Sequence, residues 1–385
     1  MKLLYIMHLS HRLNQFSASS MLAVQQLGAE FHIASNWSYP TETAIMEDEI
    51  RYKVKIHQID FFRHPLHPRN IKAYHQLCAL MKKEKFDIIH CNTPTGGIFG
   101  RLAALQCGQR AVIYQAHGYH FFRGAPKLNW LLYYPIEKLF AHYTDCIITI
   151  NSEDYRIAKS HMKPRNKGFV VLVPGIGIDI ERYSSFSDGR ARVRSELGIP
   201  WDRLMVLSVG ELNKNKNHEV VIRSLPDIPE LHYAIAGQGK LLEHLQNVAV
   251  QIGVVERVHF LGYRENIAEV YQAADIFCLP SYREGLSAAL MEAMAAGLPV
   301  VCSNIRGNNE LISNQQGGFL VNPRKIEDFA QALFLLATNK ALRSSMGKEN
   351  SMNVEKYSMK RVVSIMRELY LKVANADLGE NHDNT

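Results

Sequence analysis

The chain has 385 residues, 47% of them hydrophobic and 21% charged, a balance that excludes a disordered protein and leaves room for two α/β domains. Residues 1–185 hold 22 Lys+Arg against 14 Asp+Glu, and the remainder 44 − 22 = 22 against 37 − 14 = 23, so the first part carries +8 and the rest −1 of the total +7. No apolar run reaches the roughly 18 residues needed to cross a bilayer, and the six scattered cysteines, without a CxxC pair, are expected to be reduced core residues.

The opening MKLLYIMHLSHRLNQF is cut short as an apolar segment by His8, His11 and Arg12, so it reads as a first buried strand rather than a signal peptide. Strands are expected at 2–7, 30–34, 53–58, 87–91, 111–116, 146–150 and 169–173, separated mostly by segments of helical length, which implies a mostly parallel, doubly wound sheet. In such sheets ligands bind beyond the carboxyl ends of the strands. Three strings occupy those places: Asn92-Thr93-Pro94-Thr95-Gly96-Gly97, read as a loop whose small residues let a ligand approach the backbone; His117-Gly118-Tyr119-His120-Phe121-Phe122-Arg123-Gly124; and Asn151-Ser152. His117 either hydrogen-bonds a ligand in the cleft or is a satisfied structural histidine. Segment 121–138 mixes aromatics with cations and suits either an amphipathic face resting on a membrane interface or an ordinary packed helix, since Trp130, Tyr133 and Tyr134 fall at i, i+3 and i+4.

Val173-Pro174-Gly175-Ile176-Gly177-Ile178-Asp179 suits a hinged connection. Beyond it, a strand at 204–209 leads into Gly210-Glu211-Leu212-Asn213-Lys214-Asn215-Lys216, one at 233–236 into the tight turn Gly237-Gln238-Gly239, and one at 258–261 into Gly262-Tyr263-Arg264. The stretch 274–311 is a βαβ unit: a buried strand at 275–279, breakers at Pro280, Ser281 and Gly285, a helix over 286–296 stopped by Gly297 and Pro299, then a strand at 299–302. Glu284 precedes the helix, and Glu292 lies eight residues on, about 80° further around and about 12 Å along it. The amides of Leu286 and Ser287 between them are expected at the helix N-terminus, where unpaired N–H groups favour a phosphate. Glu284 alone is also a common first-turn residue. Glu292 interrupts the apolar segments Ala288-Ala289-Leu290-Met291 and Ala293-Met294-Ala295-Ala296, so its carboxylate needs a partner. Gly307-Asn308-Asn309-Glu310 follows the βαβ unit. Near the end, Val354, Tyr357, Met359, Val362, Ile365, Met366, Leu369 and Leu371 are spaced for a terminal helix.

The string PSYREGLSAALMEAMAAGLPVV resembles the Glu-x7-Glu signature of the retaining nucleotide-sugar glycosyltransferases of family 4, and HCNTPTGG, AHGYHFFRGAP and NWLLYYPIEK resemble bacterial exopolysaccharide and capsule transferases of the EpsD type. The resemblance implies a GT-B fold: α/β, with two Rossmann-like doubly wound domains facing across a cleft. It implies that Glu284 contacts the donor sugar and Glu292 the ribose, while Gly285, Leu286, Ser287 and Lys216 hold the diphosphate. Gly210, Glu211, Gly237, Gly239 and Arg264 complete the donor side, with Arg264 framing the base. His117 lies beside the transferred sugar, and Asn92, Thr93, His120 and Arg123 fall on the acceptor side. Many relatives carry Arg where this chain has Glu211, so either the subgroup compensates or Lys214 substitutes.

The domains are expected at 1–184 and 185–355, with a helix at 356–375 returning to the first domain and a polar tail at 376–385. The implied activity moves a sugar from a nucleotide diphosphate donor, UDP-linked, to a lipid-linked oligosaccharide, with no cofactor, metal or nucleic acid, in the cytoplasm or on the inner face of the cell membrane. A nucleotide-sugar epimerase and a non-catalytic nucleotide-sugar binder in an assembly complex are the competing readings.

Overall fold

The structure, a computed structural model, describes residues 1–376 except 14, 38–40, 66, 110, 166, 167 and 185–187; the tail expected at the end lies, beyond Ala376, outside the described residues. The chain packs as two units, Met1–Gly177 with Met359–Thr385, and Ile178–Ser358.

In the first unit β1 (Lys2–Leu9), β2 (Glu30–Asn36), β3 (Lys55–Gln58), β4 (Ile88–Asn92), β5 (Ala111–Ala116), β6 (Cys146–Thr149) and β7 (Phe169–Leu172) form a parallel sheet in the order β3-β2-β1-β4-β5-β6-β7. Strand order reverses between β1 and β4, which pair Leu3 with Ile88 and Ile6 with Cys91. Both faces of the sheet are covered, so its central strands are apolar throughout rather than alternating. One face packs under the terminal helix Met359–Ala376, whose Val362, Val363, Met366, Leu369, Tyr370 and Val373 share a core with Leu3, Tyr5, Ile88 and Ile113. Within that core the Tyr370 hydroxyl meets His90 Nδ1 at 2.9 Å, and burial holds the His90 pKa down at about 3, so the imidazole is neutral.

In the second unit β8 (Leu204–Val209), β9 (Leu231–Ala236), β10 (Val258–Gly262), β11 (Ile276–Leu279), β12 (Val300–Ser303) and β13 (Gly318–Val321) repeat the plan in the order β10-β9-β8-β11-β12-β13. Its switch point lies between β8 and β11, again beside the unit's first strand. Alternate residues feed two cores, Met205, Leu207 and Phe277 on one face and Val206, Ile276 and Cys278 on the other. The entry to β11 is fixed by Asp275, whose carboxylate accepts from Arg190 Nη2 at 2.7 Å, from Arg194 Nη1 at 3.2 Å and from the Met205 amide at 2.8 Å.

The expected boundary at 184 moves to Gly177. Ile178 donates its amide to the Tyr357 carbonyl at 2.9 Å, and Tyr183, in the helix Ile180–Ser184, packs edge-on against Tyr271, so these residues belong to the second core. Val354 and Tyr357 are buried in the same core, which moves the second crossing from 355 to Ser358. β3 starts at Lys55 rather than 53 because Lys53, at φ 51, ends the helix Glu42–Tyr52 in the left-handed region. All six cysteines are free thiols. Among the described residues no helix is long and apolar enough to cross a membrane.

Candidate active site

In the second unit the loops after β8 and β11 meet at the switch point. Lys216 Nζ donates to Glu284 Oε1 at 2.8 Å, with both side chains largely shielded. The two loops are locked by one backbone and one side-chain bond: the Tyr282 amide donates to the Asn215 carbonyl at 2.8 Å, and Asn215 Nδ2 to the Arg283 carbonyl at 3.0 Å. Asn217 Nδ2 reaches the carbonyls of Pro280 at 3.2 Å and Pro323 at 2.9 Å. The glycines make this assembly possible. A Cβ on Gly237 would lie 1.9 Å from the Gly210 carbonyl oxygen, and one on Gly239 2.5 Å from that of Leu212, so the GxG turn is where the β8 and β9 loops touch backbone to backbone. Gly307, at φ 83, lies against Gly285 in the same way: a Cβ there would come within 2.4 Å of the Gly285 carbonyl oxygen.

The helix of the βαβ unit spans Ala288–Ala295, not 286–296, and Ser287 is its N-cap, its hydroxyl accepting from the Leu290 amide at 3.4 Å. Leu286 and Ser287 therefore precede the helix, and its first-turn amides belong to Ala288 and Ala289. Glu292 is 5% exposed, and its Oε2 accepts from the Tyr271 hydroxyl at 2.8 Å. That is the partner its apolar surroundings demanded. Burial first, and the Glu292 charge second, keep the Tyr271 phenol protonated.

Three features have no local signature in the sequence. His218 is buried under the Lys216 loop, its Nδ1 3.1 Å from the Tyr233 hydroxyl, which donates to Ser208 Oγ at 2.8 Å; Ser208 in turn donates to the Cys278 carbonyl at 2.6 Å. Burial, and secondarily Lys216, lower its pKa to about 4, so Lys216 sits above a neutral ring. Arg306 is 9% exposed and directs Nη2 to the Glu284 carbonyl at 3.4 Å. Arg264, the residue expected to frame a base, gives both terminal nitrogens to the Glu196 carboxylate. Glu211 and Lys214 both point into solvent, so Lys214 does not take the place of a shielded cation.

At the carboxyl ends of β4 and β5 in the first unit, His117 Nε2 lies 3.0 Å from Asn92 Oδ1. A carboxamide oxygen only accepts, so Nε2 carries the proton and Nδ1 presents a lone pair. That Nδ1 is buried without a hydrogen bond to a described residue. Burial lowers the His117 pKa to about 4, so the ring is a neutral acceptor. Phe16 stands edge-on to it at 5.7 Å. Thr93, at φ 61, accepts from the His8 amide at 3.2 Å. The sequence 92–97 is not a loop: the helix Pro94–Gln106 starts at once, and Gly97 has no room for a Cβ, which would lie 2.6 Å from the Tyr114 ring. These glycines let the helix pack closely on the sheet. His120 stacks on Tyr133 at 4.6 Å, and Arg123 is exposed with its amide on Glu153, so neither joins the His117 and Asn92 pair.

Segment 121–138 resolves into the helix Lys127–Ala141, with Trp130 and Tyr134 turned to the core. Its other side carries Leu128, Leu131, Leu132 and Leu139, which are 61%, 71%, 51% and 55% exposed. The helix is therefore apolar on two sides, only one of which is covered within its unit.

The family described as Glycosyl transferases group 1 matches residues 189–351, and that described as Glycosyl transferase 4-like matches 6–151. EpsD of Bacillus subtilis (strain 168), assigned to the glycosyltransferases, is 33% identical over 98% of this chain and 98% of its own length. A UDP-Gal:alpha-D-GlcNAc-diphosphoundecaprenol alpha-1,3-galactosyltransferase of Escherichia coli is 29% identical over 79% of this chain and 80% of its own. Among solved structures, HepE of Anabaena in complex with UDP-glucose superposes with a TM-score of 0.80 at 16% identity, covering 97% of this chain and 100% of that one. With two matched family regions, a full-length relative and paired Rossmann-like units, the chain belongs to the GT-B glycosyltransferases of family 4.

Proposed function

We propose that this protein moves a hexose from a UDP-sugar held by the second unit to a lipid-linked saccharide presented to the first, with retention of configuration, in exopolysaccharide or capsule assembly. The observation that carries the donor assignment is the Lys216 and Glu284 pair at the switch point, where doubly wound sheets bind nucleotides. In this reading Lys216 and the first-turn amides of Ala288–Ala295 stabilise charge on the departing diphosphate. Glu284 accepts from sugar hydroxyls, and Glu292 exchanges Tyr271 for ribose hydroxyls. His117 Nδ1 accepts from a hydroxyl of the transferred sugar while Asn92 fixes its tautomer. The bond between C1 and the phosphate oxygen breaks as the acceptor hydroxyl oxygen bonds to C1, and its proton passes to the diphosphate. The names of two similar proteins support the choice of partners, one a transferase using UDP-Gal on a diphosphoundecaprenol-linked sugar, the other a complex with UDP-glucose.

The test is a thermal-shift and turnover screen with UDP-, GDP-, ADP- and TDP-sugars, wild type beside Glu292→Ala. UDP-sugars are expected to stabilise the wild type and not the variant, with transfer unchanged in EDTA because Lys216 and the helix amides supply the positive charge. Absence of any nucleotide effect would sink the donor assignment, and loss of activity in EDTA the metal-independent chemistry.

A lipid-linked acceptor requires access to a membrane, and the leucine face of Lys127–Ala141 offers it. Four leucines on one helix face are enough to enter the headgroup boundary. Lys127 and Lys138 are exposed on the same helix, whereas its only acid, Glu137, is turned inward to Arg101 and Tyr114. The wild type is expected to float with phosphatidylglycerol vesicles more than with phosphatidylcholine vesicles. Leu131→Asp with Leu139→Asp should abolish flotation while leaving UDP binding intact. Flotation equal in both proteins would discard this face as the contact.

A further inference from the structure

The two units repeat one side-chain contact at the same place in their sheets. In the first, His32 Nδ1 lies 2.9 Å from His57 Nε2, across β2 and the edge strand β3. In the second, His232 Nδ1 lies 3.0 Å from His259 Nε2, across β9 and the edge strand β10. The registers agree: His57 stands opposite Ala34 and His259 opposite Ala234, so each edge-strand histidine meets the one two residues earlier on the inner strand. The ring planes are 20° apart in both pairs.

One N–H···N bond closes each pair, and it needs an unprotonated ring nitrogen as acceptor. His32 Nε2 faces the Glu30 carboxylate at 3.4 Å, so Nε2 carries the proton and Nδ1 accepts from His57. A proton added to that acceptor removes the bond and sets like charges against each other. Glu30, Glu84, Lys55 and Lys83 surround the first pair. Arg194, Arg203 and Arg257 surround His232, and Glu256 lies toward His259. Burial first, and the neighbouring imidazole second, hold His57 and His232 down at about 4, and burial also lowers His32 and His259. Folded values below the ordinary 6.5 mean that stability is complete above about pH 6.5 and is lost as pH falls toward 4. β10 also reaches the donor side: its last residue, Gly262, accepts at its carbonyl from the Gly237 amide at 2.8 Å, at the start of the turn that touches the β8 loop.

We propose that both histidine pairs are acid-released latches on edge strands, and that the latch of the second unit makes donor binding sensitive to pH through the contact between Gly262 and Gly237. The coupling rests on the reading of the second unit as the nucleotide-sugar site; the latches do not.

Hydrogen exchange of the full chain, corrected for intrinsic amide rates, and calorimetry with UDP-glucose, each at about pH 7.5 and about pH 5, test the two parts. UDP-glucose is the probe because its diphosphate, substituted at both ends, does not titrate in this range. Wild-type protection of the β10 amides is expected to fall about 30-fold, the linkage effect of one imidazole held from 6.5 down to about 4. In His232→Gln with His259→Gln the fall should stay below about threefold, because carboxamides bond to each other and take up no proton. His259→Gln alone, at a half-buried position, should lie between the two. Ligand-binding turns open at the low end of a unit's stability, so the wild-type UDP-glucose affinity should weaken by about threefold or more at the lower pH, and that of the double variant should not. His57→Gln should reduce the fall at β3 and leave the UDP-glucose response as in the wild type. An equal fall in wild type and double variant overturns the latches, and a wild-type affinity independent of pH overturns the coupling alone. A wild type that binds no UDP-sugar at about pH 7.5 removes the donor reading and the coupling with it, while exchange at β3 and β10 still decides on the latches.

Discussion

Glu284→Gln is expected to lower sugar transfer by about 10²- to 10³-fold, the range observed when one preorganised electrostatic contact is removed from a transition state. The side chain has two tasks at once. Its Oε1 holds Lys216 Nζ at 2.8 Å, and its carboxylate is the acceptor for donor hydroxyls in the proposed site. Glutamine keeps the size and one acceptor oxygen but loses the charge, so Lys216 is no longer fixed and the sugar hydroxyls lose their ionic partner. Lys216→Met should produce a loss of similar size, expressed mainly in kcat because the charge it stabilises grows as the diphosphate leaves. Since the two residues act as one element, Lys216→Met with Glu284→Gln should be much less impaired than the product of the single losses. A Glu284→Gln enzyme retaining more than a tenth of wild-type kcat, or a double variant showing the full product, would count against the pair as the catalytic centre of the donor site.

Asp275→Ala is expected to cost the second unit about 3–5 kcal/mol, the effect of removing one partner from a shielded ionic cluster. The size follows from what remains. Arg194 is almost fully buried, with only carbonyl acceptors from Ala273, Pro200 and Arg203 left to it, and the Met205 amide loses its acceptor at the start of β8. That loss is a large fraction of the 5–15 kcal/mol typical of a folded domain. Asp275→Asn should fall between the two, because its oxygen still accepts from Met205 while the charge is gone. Hydrogen exchange of the β8 and β11 amides during urea unfolding checks this unit separately from the first. A cost below about 1 kcal/mol would show that the arginines find other partners.

The parallel sheets were legible because buried strands are continuous apolar runs ended by Gly, Pro or a polar cap: β5 and β8 occupy the residues expected for them. Glu284, Glu292 and Lys216 stood out through their spacing on a recognisable motif. What escaped depended on residues far apart in the chain. Asp275 meets arginines some 80 residues earlier, and Tyr271 satisfies Glu292 from a preceding helix; neither leaves a periodic trace. The stripe of Trp130, Tyr133 and Tyr134 showed an apolar face but not which way it turned, since a helix apolar on two sides gives the same pattern whichever is covered. The pairing of Arg264 with Glu196 escaped for a related reason, since the two lie 68 residues apart and only the fold brings them together.

The first unit is assembled from two pieces of chain, one on each side of the second, and its last core residues lie in Met359–Ala376. During synthesis the entire sequence of the second unit is made before Val362, Met366 and Tyr370 exist to cover β1 and β4. The usual order, in which the N-terminal domain folds first, is therefore inverted. The second unit can close on its own, while the sheet begun at Lys2 waits, with one apolar face uncovered, for the final helix. A chain released at residue 358 would hold the second unit complete beside an unfinished first unit, and that is the stage at which its apolar surface is most exposed.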